Sequence, residues 1–271
     1  MKMVGIGIIG AGQIGSAIAR ILVEAGRFHV MASRRNLSSI RELEKIGVKI
    51  TTSNIEVASN SDIVFICVKP YKVIQVVREI SSHLDGKILI SVAAAISIRQ
   101  LSEAAPKAKI VRAMPNIALM VKTSFTAYTF GPNLTDEDKQ FVREIFSLMG
   151  ECMEIDEEYM DAITALSGSG PAYVATLIEA MAYAGLKVGL PRELSYRSAA
   201  YTVYGSAKLF LETGLHPSMI KEMVLTPAGV TIEGIFYLEE SGIRTAVMKA
   251  VEAATKRAKE ISNELNKKSL E

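Results

Sequence analysis

The chain opens on the pattern that constrains it most. Residues 3–9 read MVGIGII, then come Gly10-Ala11-Gly12-Gln13-Ile14-Gly15, then SAIARILVEAG, ending at Gly26. The apolar run rich in β-branched residues reads as a buried strand, and the segment after the glycines has helical periodicity. Strand, G-x-G-x-x-G and helix in that order predict a dinucleotide-binding unit. Gly10 allows the tight turn, and Gly12 has no Cβ to keep a pyrophosphate off the backbone. Gly15 lets the helix pack closely on the strand. Ala11, Gln13 and Ile14 complete a cradle in which free helix-start N–H groups face the phosphates. A plain glycine turn is the other reading. A signal peptide is disfavoured, because Gly5, Gly7, Gly10 and Gly12 interrupt the apolar run and Arg20 follows.

The second strand is expected at 29–34, HVMASR. An NAD-preferring fold of this kind usually ends that strand in Asp or Glu to hold the ribose hydroxyls. This chain reads Ser33-Arg34-Arg35 instead. One hydroxyl and two guanidinium groups suit the 2′-phosphate of NADP, so the cofactor expected is NADP, with NADPH preferred over NADH. Solvated surface arginines are the alternative.

The alternation continues with expected strands at 48–51, 62–68, 87–92, 109–115, 124–130 and 151–155, and a helix over 71–83. Thr135 and Asp138 have capping-box spacing and head a helix ending near Gly150. This pattern predicts an α/β, doubly wound, mostly parallel sheet over residues 1–156. Ligands in such sheets gather beyond the carboxyl ends of the strands. That rule nominates Val68, Lys69, Pro70, Ala93, Ala94, Pro115 and Asn116 as cleft residues.

From residue 157 to 271 the strand signal vanishes. Helices are expected at 157–167, 171–187, 192–212, 217–224, 231–240 and 243–266, punctuated by Gly189, Gly214, Gly242, Pro191 and Pro217. So many apolar helices make a poor isolated bundle, and the sequence predicts a homodimer through this all-α half. A net charge of +2 gives no argument for nucleic acid or an anionic membrane as partner. No run approaches the length of a membrane span. The two cysteines, Cys67 and Cys152, have no metal-ligand spacing and suit a reducing cytoplasm.

Two stretches of the helical half carry chemistry. In Thr226-Pro227-Ala228-Gly229-Val230-Thr231 a turn leads into a helix start. Thr231 is an N-cap or first-turn residue, and two hydroxyls at a positive helix end would hold a carboxylate. In ALSGSGPAY, residues 165–173, Gly168 can end one helix, Ser169 can cap the next, and Pro171 suits its first turn. Small residues there would let a nicotinamide and a flat ring approach the backbone. A simple kink between packed helices is the alternative.

IGAGQIG, VKP at 68–70, LSGSGPAY at 166–173 and TPAGVTIEG at 226–234 resemble, in order and spacing, the pyrroline-5-carboxylate reductase family. The resemblance spans nearly the whole chain. It implies an N-terminal Rossmann domain, a helical C-terminal dimerisation domain and an active site built between them. The implied reaction is NAD(P)H-dependent reduction of (S)-1-pyrroline-5-carboxylate to L-proline, the last step of proline biosynthesis. Family members are dimers, often assembled into a decamer of five dimers.

Carried over by position, Gly10 to Gly15 hold the pyrophosphate, and Ser33, Arg34, Arg35 and Asn54 lie at the adenosine ribose or its phosphate. Val68, Lys69, Pro70, Ala93, Ala94 and Pro171 border the cofactor. Thr226, Ala228, Gly229, Val230 and Thr231 bind substrate. Thr231 hydrogen-bonds the ring nitrogen and, with Ser169, stands as a catalytic candidate. The family's loop is commonly S-P-G-G-x-T, and its A-A-G is Ala93-Ala94-Ala95 here. Leu225 and Tyr183 are further departures.

Hydride transfer to a protonated C=N bond asks for orientation more than for acid–base power. No catalytic triad or metal set is evident, and His29, His83 and His216 read as structural or solvated. A related imine or β-hydroxyacid reductase is the rival enzyme. Hydroxyacid reduction usually uses an interdomain lysine, and none occurs between Tyr159 and Leu186. A cofactor-sensing paralogue without turnover is the non-enzymatic rival.

Overall fold

The computed structural model describes residues 3–270, with side chains to residue 265. It falls into two compact units: the chain through Ser169 together with the chain from Ala253 on, and Gly170–Glu252.

The first unit is built on eight strands: β1 (Val4–Ile9), β2 (Phe28–Ser33), β3 (Lys49–Thr51), β4 (Ile63–Ile66), β5 (Ile88–Ser91), β6 (Lys109–Met114), β7 (Ser124–Phe130) and β8 (Gly150–Glu154). They form one sheet in the order β3-β2-β1-β4-β5-β6-β7-β8. Every neighbouring pair is parallel except β6 and β7. The chain thus has the expected Rossmann-type doubly wound sheet. Its five principal helices are α1 (Gln13–Glu24), α2 (Asn54–Ser59), α3 (Pro70–Ile80), α4 (Ile98–Ala104) and α5 (Asp136–Ser147).

Two layers of apolar side chains hold the helices on the sheet. On one face Ile18 and Leu22 of α1 and Ile145 and Phe146 of α5 pack with Val30 and Phe65. On the other, Val57 of α2, Val73 and Val77 of α3 and Leu101 of α4 pack with Val64, Ile66 and Leu89. With both faces covered, a central strand need not alternate, and all four residues of β4 are buried. Leu265, near the chain's end, packs on the second cluster.

Local chemistry sets where the helices begin. The capping box of Thr135 and Asp138 heads α5 as expected. A second box, Ser97 with Gln100, heads α4, and Ser53 caps α2 by accepting from the Glu56 N–H. Pro70 occupies the first turn of α3, where its missing N–H costs nothing.

The stretch after β8 corrects one expectation. In place of a single helix over 157–167 there is a 3₁₀ turn at Glu157–Tyr159, an α-turn at Met160–Ile163 and a π-turn at Thr164–Gly168. Gly168 is not left-handed, so it does not terminate a helix in the manner expected. Ser169 is no N-cap: its backbone is right-handed helical (φ −87°, ψ −18°). Its N–H donates to Thr164 O at 3.0 Å and its Oγ to the same oxygen at 3.3 Å. The hydroxyl faces backwards, onto the same carbonyl that the backbone N–H meets.

The second unit is helical: α6 (Gly170–Lys187), α7 (Arg192–Thr213), α8 (Pro217–Glu222), α9 (Val230–Glu240) and the first part of α10 (Ile243–Leu270). Helices α6 and α7 cross closely at Gly185, where a Cβ would lie 2.8 Å from Ser195 Oγ. Among the described residues of this unit only Ala182, Ser195 and Ala199 are buried.

Candidate active site

The glycine turn after β1 has the geometry its sequence demands. Gly10 is left-handed (φ +91°), and a Cβ there would sit 2.7 Å from Val68 Cγ1 and 2.9 Å from Val68 N. A Cβ on Gly15 would meet Gly10 O at 2.8 Å. Both glycines are therefore required by the protein's own packing. Gly12 differs: the nearest atom to its Cβ position is Gly10 O, 3.9 Å away. No side chain caps α1, whose N-cap is Gly12. The turn leaves open backbone and unpaired N–H groups, the fit a pyrophosphate requires.

A cavity of about 970 Å³ opens beyond the carboxyl ends of the strands. Its lining follows the sheet: Ser33, Arg34 and Arg35 at and after the end of β2, Gly10, Gly12, Gln13 and Ile14 after β1, Val68 to Pro70 after β4, Ala93 and Ala94 after β5, and Pro115 and Asn116 after β6. From β2 to β6 is four strand spacings, about 19 Å. The cleft runs from a cationic end to an uncharged one.

At the cationic end, buried Ser33 donates from Oγ to Asn54 Oδ1 at 2.7 Å. The Asn54 amide donates in turn to Glu79 Oε2 at 3.2 Å. Arg34 Nη1 donates to Ala11 O at 2.8 Å, which ties the guanidinium to the glycine turn, while Arg35 is exposed. A cation anchored beside the turn and a second one free at its rim suit a phosphate.

At the other end, Asn116 accepts from the Ala118 N–H at 3.0 Å through Oδ1. Its Nδ2 donates to Ser167 O and Ser167 Oγ, both at 3.2 Å. Gly168, Ser169 and Thr164 line this end, with Met114 below them. Cys67 also borders the cavity, but burial pushes its thiol up to about 12, so it offers no thiolate near neutrality.

Several lining residues were invisible to motif and periodicity, among them Cys67, Tyr71, Met114, Ile117 and Thr164. The strand-end rule could have reached Cys67 and Met114. Nothing in the local sequence singles out Thr164. Conversely, Ala11 and Gly15 are buried under the turn, and Pro171 lies outside the lining.

The candidate substrate turn lies in the second unit. Gly229 N donates to Thr226 O at 3.0 Å, closing a turn in which Ala228 is left-handed (φ +54°). A Cβ on Gly229 would overlap Thr226 Oγ1. Gly229, not Thr231, is the N-cap of α9, and no side chain caps the helix. Thr231 is a first-turn residue, so its hydroxyl is not spent on capping. His216 caps α8, accepting from the Ser218 N–H at 3.3 Å, and His83 meets Ser59 Oγ at 3.1 Å. Both histidines are structural.

A family model described as pyrroline-5-carboxylate reductase dimerisation matches residues 157–261, and one described as NADP oxidoreductase, coenzyme F420-dependent, matches residues 5–95. Pyrroline-5-carboxylate reductase of Methanosarcina acetivorans is 40% identical over 262 residues, covering 94% of this chain and 97% of its own. The Arabidopsis thaliana enzyme of that name is 39% identical, with 95% of each chain covered. The crystal structure of Plasmodium falciparum pyrroline carboxylate reductase with NADP bound superposes with a TM-score of 0.87 at 33% identity, covering 96% of this chain and 100% of that one.

The chain belongs to the pyrroline-5-carboxylate reductase family.

Two of its departures from the family's usual sequence now have a structural meaning. Ala95 and Ala228 stand where the family's motifs carry glycine, and both are left-handed, at φ +66° and +54°. A left-handed alanine carries a steric cost of about 1–2 kcal/mol per residue. No helix among the described residues is long and apolar enough to cross a membrane.

Proposed function

We propose that this chain is a pyrroline-5-carboxylate reductase, reducing (S)-1-pyrroline-5-carboxylate to L-proline with NADPH in preference to NADH. The observation that carries the reading is the cleft. It begins at Ser33–Arg35, passes the open glycine turn and ends at Gly168 and Ser169. Gly12 and the start of α1 would hold the pyrophosphate. Ser33, Asn54, Arg34 and Arg35 would hold the 2′-phosphoribose. Val68, Lys69, Pro70, Ala93 and Ala94 would line the path to the reacting ring.

Bound NADPH supplies the hydride that adds to the imine carbon. The protein's part is to orient and to desolvate. Ala228 and Val230 would present backbone N–H groups and Thr226 a hydroxyl to the substrate carboxylate, on a turn that Gly229 closes. The Thr231 hydroxyl would accept the N–H of the protonated ring nitrogen, which becomes the amine. Ser169 would border the reacting ring.

We assign residues 1–156 to cofactor binding and 157–271 to substrate binding and dimerisation. The homodimer, with five dimers in a decamer as the larger assembly, would cover the apolar side chains that the helical unit exposes. A cytoplasmic location suits the two free cysteines.

The decisive assay follows NADPH oxidation with pyrroline-5-carboxylate, then with a panel of keto acids and acyclic imines, then with NADH. Turnover of pyrroline-5-carboxylate alone, faster with NADPH, is expected. Preference for a keto acid would move the chain to the hydroxyacid reductases. Cofactor binding without turnover of any substrate would make it a sensor, and a clear NADH preference would overturn the assignment of Arg34 and Arg35.

A further inference from the structure

Arg112 lies on β6 with its side chain 6% exposed. Its Nη1 donates to Glu157 Oε1 at 2.9 Å, and the same oxygen accepts the N–H of Ile98, the first residue of α4, at 2.8 Å. Nη2 faces Asp161 Oδ1 at 3.6 Å, too long for a hydrogen bond. Asp161 is held from α10 by Ser262 Oγ at 3.2 Å. Nε and Nη2 are buried with no hydrogen-bond partner. A guanidinium taken into the interior and hydrogen-bonded through one of its nitrogens is a poor device for stability, because an apolar side chain of similar volume would often serve as well or better.

What this group does accomplish is to fix residues 157–161. They form the base of the segment that reaches the cleft through Thr164, Gly168 and Ser169. Asn116 grips the tip through Ser167, and Met114 Sδ lies 3.7 Å from the Cβ position of Gly168. Residues 164–168, which carry that tip, form the π-turn, a conformation that occurs mostly as single turns and often at functional sites. Here the turn is held on one side through Glu157, which Arg112 binds, and on the other through Ser167, which Asn116 binds.

We propose that Arg112 is a positioning residue for hydride transfer. Through Glu157 and Asp161 it sets the depth at which Thr164–Ser169 meets the nicotinamide end of the bound dinucleotide. The inference rests on the proposed function in one respect: the dinucleotide must lie with its adenosine at Ser33–Arg35 and its nicotinamide beyond β6.

The test compares Arg112→Met with the wild-type protein, measuring affinity for NADPH and for 2′-phospho-ADP-ribose, which lacks the nicotinamide. Loss of the charge-assisted bonds should weaken NADPH about tenfold and the fragment less than about twofold. With pyrroline-5-carboxylate, kcat should fall on the order of tenfold with little change in substrate KM, and the primary isotope effect from 4-deuterated NADPH should rise. Arg112→Lys should recover part of the loss. Should Arg112→Met fail to fold, Asp161→Asn, which removes charge and keeps shape, reads the same ligand ratio. Equal weakening of both ligands, or no change in either, overturns the proposal. Because the ratio is read without turnover, a wild-type protein that binds NADPH but does not reduce pyrroline-5-carboxylate would overturn the proposed function alone.

Discussion

The sheet unit and the helical unit solve the problem of burial in opposite ways. In the first, large side chains such as Phe65, Phe146, Ile6 and Leu22 are wholly enclosed by their own chain. In the second, three small residues are buried while Phe236, Tyr237, Met248 and Leu211 stand 62%, 64%, 67% and 78% exposed. The sheet unit has a core of its own. The helical unit presents a surface like half a core, which the proposed dimer would complete. The cofactor motif falls in the self-sufficient unit and the candidate substrate turn in the dependent one.

That contrast can be broken most directly at the exposed aromatics. The double substitution Phe236→Glu with Tyr237→Glu, which splits an edge-to-face pair, should cost the dimer about 4 kcal/mol. Sedimentation at micromolar concentration should show monomers that still bind NADPH. An unchanged dimer would mean that these aromatics lie outside the interface. Next in size is Gly10→Val in the sheet unit. Left-handed strain and collision with Val68 together cost about 3 kcal/mol, and calorimetric NADPH affinity should fall roughly a hundredfold while the oligomer persists.

Thr231→Ala probes the dependent unit from its chemical side. Loss of one hydrogen bond to a charged ring nitrogen should lower kcat/KM for pyrroline-5-carboxylate by about 2 kcal/mol, or some thirtyfold, with NADPH affinity within about twofold. Unchanged kinetics would remove Thr231 from the site. The smallest effects compare one kind of strain in the two units. Ala95→Gly relieves a left-handed alanine inside the sheet unit but loosens the unfolded chain. The net gain should be about 0.5–1 kcal/mol, seen as a rise in Tm. Ala228→Gly, at an exposed turn, should move Tm less.

Most of the sheet unit was legible because its signals are local. Apolar runs mark buried strands, and Thr135 with Asp138 marks a helix start. Helices α2 and α4 escaped because they are short, although the Ser97–Gln100 box was a usable sign. The glycine turn was readable to the level of single residues, since backbone sterics assign Gly10, Gly12 and Gly15 separate tasks. The 164–169 segment was not. Its glycines suggested a helix end, but a π-turn depends on what grips it from a distance, and Arg112 and Asn116 lie far away in sequence. The same limit applies to Cys67, Met114 and Thr164, which reach the cleft only through the sheet order and the packing beyond β6. A side chain at Gly170 would enter open space, whereas one at Gly168, which lines the cleft, would meet Met114.

The return of α10 to the first unit bears on how the protein is made. Leu265 closes on the apolar layer of α3 and α4, and Ser262 holds Asp161. A nascent chain can therefore lay down all eight strands on the ribosome and still lack the clasp on the segment after β8 until residues near 265 have emerged. The cleft would be the last part of the sheet unit to mature, after the exposed apolar surface of the helical unit has already been synthesised.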